Sequence, residues 1–183
     1  RKRGQIIATA SADAPLKGLP VLLKAFKKLV VTDPARQLLL IARPRAGGDT
    51  TALIKHLGLV DHVRFVGDAS HEEINRFYAE STVAVVPSLY EGFGLPAVEA
   101  MAAGIPLVSS DGGALAEVVA DGGLVVPAGD SDALAETLER VLTDPNLARA
   151  LGDQGRQRVE RHFCWSVCAQ QMVAQYRACI DAC

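Results

Sequence analysis

What most constrains this chain is an alternation that runs through its whole length. Short, continuous runs of Val, Ile, Leu and Ala recur, and each is followed by a longer stretch with helical spacing. Residues 6–10, 37–42, 63–66, 83–86, 107–109 and 124–126 read as strands. Residues 19–31, 49–57, 95–103, 114–120, 131–142, 146–161 and 166–183 read as helices. In the first of these Leu22, Leu23, Phe26 and Leu29 or Val30 share a face. A further helix begins at Ser70, where Glu73 follows three residues later in a capping-box pattern. Strands that are apolar throughout, without alternation, are buried on both faces. That is the signature of a parallel sheet covered by helices. The expected class is α/β, a Rossmann-like doubly wound parallel sheet with helices on both faces. The Ala-Gly-Gly-Asp loop at 46–49 is the most linker-like stretch, and it is too short to divide domains. Residues 1–183 therefore read as one domain, without internal repeats or low-complexity segments.

Bulk properties remove several function classes. A length of 183 residues suits a single domain with a sizeable core. A hydrophobic fraction of 49% with 22% charged residues is that of a globular protein. The net charge of −2 gives no electrostatic case for nucleic acid as a partner. Arg1, Lys2 and Arg3 read as a solvated tail. No run approaches the roughly 18 apolar residues of a membrane span. The chain opens without Met and without a signal-peptide apolar region, so a fragment of a longer protein is expected. Cys164, Cys168, Cys179 and Cys183 contain no Cys-x-x-Cys pair and have only distant histidines. Metal ligation is not expected, and reduced cytoplasmic thiols are, with Cys179 and Cys183 on one helical face.

In a doubly wound sheet ligands bind beyond the carboxyl ends of the strands. The loops that matter follow Ala10, Ala42, Val66, Pro87 and Ser109. The most informative of them lies in Pro87-Ser-Leu-Tyr-Glu-Gly-Phe-Gly-Leu-Pro-Ala-Val-Glu-Ala-Met-Ala-Ala-Gly-Ile-Pro106. Gly92 and Gly94 stand between a strand end and a helix start, where glycine lets backbone approach a ligand. The helix that follows presents free N–H groups and positive dipole to a phosphate, and Pro96 suits its first turn. Glu91 lies in the loop and Glu99 about one turn into the helix, two carboxylates able to accept from sugar hydroxyls. Either glutamate alone reads as a solvated surface residue, and neither as a core position. Their combination with two glycines and a proline in one strand–loop–helix junction points to a ligand site. His56, His62, His71 and His162 share no motif and read as surface residues. A NAD-binding domain is disfavoured because Gly-x-Gly-x-x-Gly is missing after the first strand.

The run Glu91-Gly-Phe-Gly-Leu-Pro-x-x-Glu99-Ala-x-Ala-x-Gly-x-Pro106 resembles the signature of the large group 1 family of retaining GT-B glycosyltransferases. Bacterial mannosyl-, glucosyl- and N-acetylglucosaminyl-transferases and sucrose synthases share it. Leu16-Lys17-Gly18-Leu19, Val63-Arg-Phe-Val-Gly67, Leu124-Val-Val-Pro127 and Arg161-His-Phe-Cys-Trp165 resemble further segments of the family's C-terminal, donor-binding domain, in order. The resemblance implies one half of a GT-B fold, with the N-terminal acceptor domain absent. It implies a nucleoside diphosphate sugar as donor and transfer to an acceptor hydroxyl with retention. Lys17 and Glu91 would serve catalysis, Lys17 at the diphosphate and Glu91 at the donor sugar. Val66 and Gly67 would offer backbone groups to the base. Backbone around Gly92, Phe93, Gly94 and Leu95 would hold sugar hydroxyls and phosphate, and Glu99 the ribose. The loop from Ser110 to Gly113 either borders the donor sugar or serves packing.

Beyond this substrate no cofactor and no metal is implied. Cytoplasmic location and peripheral membrane association of the full-length enzyme are further expectations. Two departures from the family pattern stand out. The Arg expected five or six residues before the lysine is replaced by Ala12 and Ser11, and Arg43 or Arg45 is the candidate substitute. Cys164 takes a helix-cap position better suited to Ser or Thr. The missing Arg keeps a second reading open, a non-catalytic nucleotide-binding or interaction module on the same fold. An epimerase or a phosphorylase-like enzyme on this architecture is disfavoured by the Glu91–Glu99 segment.

Overall fold

The computed structural model describes residues 4–181. The basic cluster Arg1-Lys2-Arg3 and the Cys179–Cys183 pairing lie wholly or partly outside the described residues. Six strands form one sheet: β1 (Gln5–Thr9), β2 (Gln37–Ile41), β3 (Val63–Val66), β4 (Val83–Val86), β5 (Leu107–Ser110) and β6 (Leu124–Val126). Between and after them lie α1 (Leu19–Thr32), α2 (Asp49–His56), α3 (His71–Glu80), α4 (Leu95–Ala102), α5 (Leu115–Val119), α6 (Ser131–Thr143), α7 (Pro145–His162) and α8 (Trp165–Asp181). The strand order is β3-β2-β1-β4-β5-β6, and every pairing is parallel. Parallel neighbours need a crossover, and each segment between consecutive strands supplies a helix for it. The expected doubly wound α/β sheet is the observed one. The strand order reverses between β1 and β4, which opens a crevice at their carboxyl ends.

The absence of polar alternation in the strands is explained by two cores. Ile6, Ala8, Leu38, Leu40 and Val85 face Leu22, Leu23 and Phe26 of α1, Ile54 of α2 and Leu138 of α6. Ile7, Leu39, Ile41, Ala84 and Val86 face Phe77 and Tyr78 of α3, Met101 of α4 and Val118 and Val119 of α5. Alternate side chains of one strand thus enter opposite cores. Each fully buried Leu, Ile or Phe contributes about 1.5–3 kcal/mol of transfer free energy. Loop 46–49 joins β2 to α2, which packs on the same sheet.

Local signals fix the helix ends. Ser70 Oγ accepts from the Glu73 N–H at 3.2 Å, and Glu73 Oε2 accepts from the Ser70 N–H at 2.9 Å, so the capping box forms. Asp130 Oδ1 takes the Asp132 and Ala133 N–H groups, and Asp144 Oδ1 those of Asn146 and Leu147 ahead of α7. Cys164, just before α8, turns its thiol back to the Val159 carbonyl at 3.6 Å. Its carbonyl, not its side chain, opens the helix, by accepting from the Cys168 N–H at 3.0 Å.

Candidate functional site

The loops from the two strands that flank the crevice are stitched together. After β1 the chain makes a 3-10 turn over Pro15–Lys17 and enters α1 through Gly18, whose φ is +65°. A Cβ there would overlap the Pro87 carbonyl oxygen, so only glycine allows this approach. The Leu89 N–H donates to Leu16 O at 2.8 Å. Lys17 is thereby held over the loop after β4, and its Nζ lies 2.7 Å from Glu91 Oε1. The same oxygen accepts from Ser88 Oγ at 2.9 Å. The Glu91 side chain is only 12% exposed and that of Lys17 31%. Glu91 is therefore not the solvated residue that it would be if read alone.

The loop after β5 supports this arrangement from below. Ser110 Oγ donates to Ser88 O, and the Ala114 N–H donates to Glu91 O at 2.9 Å. Glu91 and Gly113 form a β-bridge. A side chain at Gly112 or Gly113 would overlap the backbone of residues 88–91. Packing against the Glu91 loop accounts for both glycines.

The helix-entry residues separate by role. Gly94 caps α4 at φ +96°, and a Cβ there would press on Leu115 at 2.5 Å. Its need for glycine is thus conformational and steric. Gly92 faces open space, room that a ligand could use. Phe93 packs edge-on against Phe163 with centroids 5.8 Å apart, and Leu95 stands exposed beside it. Glu99 is exposed on α4, and desolvation raises its pKa above the ordinary carboxylate value. Nearby His71, at the start of α3, pulls it the other way. Across from it the Tyr78 hydroxyl meets Thr9 Oγ1 at 3.0 Å. Burial, opposed by this bond and reinforced by the Glu99 charge, pushes the Tyr78 pKa up to about 12.

Val66 and Gly67 lie apart from this cluster. β3 is two strands from β1, or about 10 Å at ordinary strand spacing. The Val66 carbonyl already accepts from the Ala42 N–H at 2.9 Å, so one of its lone pairs is in use. Of the candidate substitutes for the missing arginine, Arg43 falls here and Arg45 lies against the loop that carries Lys17. Arg43 lies over Gly67 and pairs with Asp68. Arg45 gives its backbone N–H to Asp13 Oδ2 at 3.0 Å. Asp13, at φ +60°, also accepts from the Thr50 N–H at 2.9 Å and donates its own N–H to Thr50 Oγ1 at 3.2 Å. It thus occupies the N-terminal turn of α2 and ties the Lys17 loop to it. The backbone N–H of Arg45, then that of Thr50, hold the Asp13 pKa below its ordinary value.

The structure brings Lys17, Glu91, Gly94 and Glu99, all candidates from sequence, to the carboxyl end of the sheet. Reasoning from sequence passed over Ser88, Ser110, Asp13, Tyr78 and His71. The buried serines follow strand ends like many others, and no spacing marks them. A cavity of about 690 Å³, lined by Arg36, Thr82, Thr143 and Arg149 among others, opens at the opposite, amino ends of the strands. It is remote from these groups.

Comparison with known proteins places this geometry. The sequence model of the family described as "Glycosyl transferases group 1" matches residues 1–158. The MMP alpha-(1->4)-mannosyltransferase of Mycolicibacterium hassiacum is 47% identical over 98% of this chain and 44% of its own length. A D-inositol 3-phosphate glycosyltransferase of Frankia alni is 36% identical over 95% of the chain and 45% of its own length. Among solved structures, a sucrose-phosphate synthase from Thermosynechococcus elongatus superposes with a TM-score of 0.83 at 37% identity, covering 98% of this chain and 46% of that one. The C-terminal domain of a group 1 glycosyl transferase from Francisella tularensis shares the fold, with a TM-score of 0.78 at 24% identity, over 90% of this chain and 88% of that one. The chain thus spans less than half the length of the curated relatives it matches. Its Rossmann-like sheet is that of the GT-B glycosyltransferases, and the chain belongs to the glycosyl transferases group 1 family.

Proposed function

We propose that this chain is the donor-binding half of a retaining glycosyltransferase. It would take a nucleoside diphosphate sugar, and a second, acceptor-binding half of the same enzyme would complete the cleft. The observation that carries this is the meeting of Lys17 and Glu91 at 2.7 Å, from the two loops that flank the strand-order reversal. Glu99 stands one turn further along α4. In this arrangement Lys17 and the amino end of α4 supply positive potential where the departing diphosphate gains charge. Glu91 accepts from hydroxyls of the transferred sugar, and Glu99 from those of the ribose. The open space at Gly92 admits the sugar against backbone, and the end of β3 at Val66 and Gly67 borders the base. No metal and no further cofactor enters this scheme, and the reaction is assigned to the cytoplasm.

The relatives support the donor class, since those named above are glycosyltransferases. A second reading, a nucleotide-binding module without catalysis, draws on Ser11 and Ala12 where the family places an arginine. Arg43, a candidate substitute, pairs with Asp68 after β3. Thermal shift with UDP, GDP and ADP tests the site. One of them should raise the melting temperature of the 183-residue chain, by up to about 2.7 kcal/mol of stabilisation at 100 times its dissociation constant. Free glucose or mannose should not. No shift with any of the three at millimolar concentration would count against both readings. A shift without sugar transfer by the complete enzyme would favour the second.

A further inference from the structure

Two donors share one oxygen of Glu91, and they differ in kind. Lys17 Nζ and Ser88 Oγ both meet Oε1, at 2.7 and 2.9 Å, and the other oxygen, Oε2, is left out of both bonds. Lys17 is a cation on a flexible stem, partly open to solvent. A diphosphate carries more negative charge than one carboxylate and competes for that ammonium directly. Ser88 is neutral and short, and the residue is 2% exposed. Its backbone is fixed on both sides, since its carbonyl takes the hydroxyl of buried Ser110 and the next N–H, of Leu89, goes to Leu16 O. A ligand that draws Lys17 away has no comparable hold on Ser88.

We propose that Ser88 is the positioning residue for Glu91: its buried hydroxyl keeps Oε1 when Lys17 leaves the carboxylate for the diphosphate, so that Oε2 stays turned to the sugar. This rests on Lys17 and Glu91 serving the donor as described above. Ser88 acts only through Glu91 and only once Lys17 has moved. It therefore matters to the sugar-bearing complex and hardly at all to the bare nucleoside diphosphate.

A double-mutant cycle on the complete enzyme tests this. Ser88→Ala, Ser88→Cys, Glu91→Gln and the Ser88→Ala/Glu91→Gln pair are compared. The probes are whichever of UDP, GDP and ADP binds, and its glucose and mannose esters. Ser88→Ala should lower kcat roughly tenfold, the usual cost of losing a hydrogen bond to a charged group. The Kd of the bare diphosphate should stay within about twofold. Ser88→Cys keeps the side-chain shape, with a larger atom and a weak donor, so it should fall between wild type and Ser88→Ala; it also serves if the alanine variant does not fold. In the Glu91→Gln background Ser88→Ala should cost less than about twofold, the sign of a shared pathway. Multiplicative losses, or a diphosphate affinity that falls as far as kcat, would overturn the role of Ser88 while leaving the donor site standing. A wild-type enzyme that neither binds the diphosphates nor transfers sugar would remove the donor site, and Ser88's role with it.

Discussion

The two glutamates of the candidate site have different surroundings, which on the proposed reading fit different functions. Glu91 is enclosed and already bonded to an ammonium and a hydroxyl. Glu99 has no such partner among its dominant influences; burial of its charge raises its pKa. A carboxyl group with a raised folded pKa costs stability once ionised, and the cost is relieved as pH falls through the raised value. Glu99→Gln should therefore keep or slightly raise the melting temperature at pH 7, by ~0.5 kcal/mol at most for so exposed a group. It should weaken the bare diphosphate and the nucleotide sugar alike, by roughly tenfold or more. Glu91→Gln should do the reverse: lower stability by about 1 kcal/mol by weakening the bonds to Lys17 and Ser88, leave or raise the affinity for bare diphosphate because Lys17 is freed, and reduce turnover. Calorimetric titration beside a melting curve reads both quantities. If Glu91→Gln weakens the bare diphosphate as much as Glu99→Gln does, the assignment is wrong. Asp13 behaves oppositely to Glu99. Its pKa is lowered by backbone N–H groups, so it contributes stability above the ordinary value of 3.8 that is lost as pH falls below it. The melting-temperature gap between wild type and Asp13→Asn should narrow as pH drops below about 4. A gap independent of pH would mean that the Asp13 charge does nothing for the loop.

Elements were legible in the sequence where periodicity or capping chemistry names them. The strands over 63–66, 83–86 and 124–126 have the bounds expected, because each ends on a Gly or Pro or at a turn. The Ser70–Glu73 box is local and forms as written. What sequence could not give was side-chain partnership across strands. Ser88 reaches Glu91 three residues away, yet Ser110 meets Ser88 only because β4 and β5 are neighbours in the sheet. The lysine–glutamate pair spans 74 positions and depends on the strand-order reversal. The last helix poses a different problem. Nothing in the sequence of residues 166–183 sets this helix apart, but the described part of α8 buries no side chain. Trp165, Met172, Tyr176 and Ile180 are all exposed, Trp165 at 91%. An element that buries nothing adds little to the cooperative unit. Deleting α8 should shift the melting temperature of this chain by only about 2–4 °C. Trp165 is the one tryptophan of the chain. Its emission should be water-like in the folded state and nearly unchanged by denaturant, while far-UV dichroism follows the unfolding of the sheet. A blue-shifted emission that moves with the dichroism would show that α8 is packed.

At the scale of the whole molecule the site is a face, not an enclosure. The groups that would hold a donor line the carboxyl edge of one sheet, with Lys17 partly exposed and Leu95 and Tyr90 open to solvent. Charge stabilisation of a leaving diphosphate is strongest where water is excluded. A single open face cannot do that, and the matched relatives are more than twice as long as this chain. The physical consequence is a division between binding and chemistry. On the proposed reading, binding of a bare diphosphate draws on the Lys17 ammonium, the amino end of α4 and Glu99, all present here. Transfer needs the same groups dried and an acceptor hydroxyl brought to them. The chain alone should therefore bind the diphosphate within about tenfold of the complete enzyme and transfer almost no sugar. Salt sensitivity checks this without an activity assay. With Lys17 facing bulk water, the interaction is screened over about 8 Å at physiological ionic strength and about 3 Å at 1 M. Affinity of the isolated chain should fall steadily between 0.05 and 1 M salt, roughly tenfold in all, whereas the complete enzyme, with the site closed, should show a weaker dependence. Equal salt slopes for the two would mean that the second half does not cover this face. Sugar transfer by the chain alone at the full enzyme's rate would mean that the second half is not needed for chemistry.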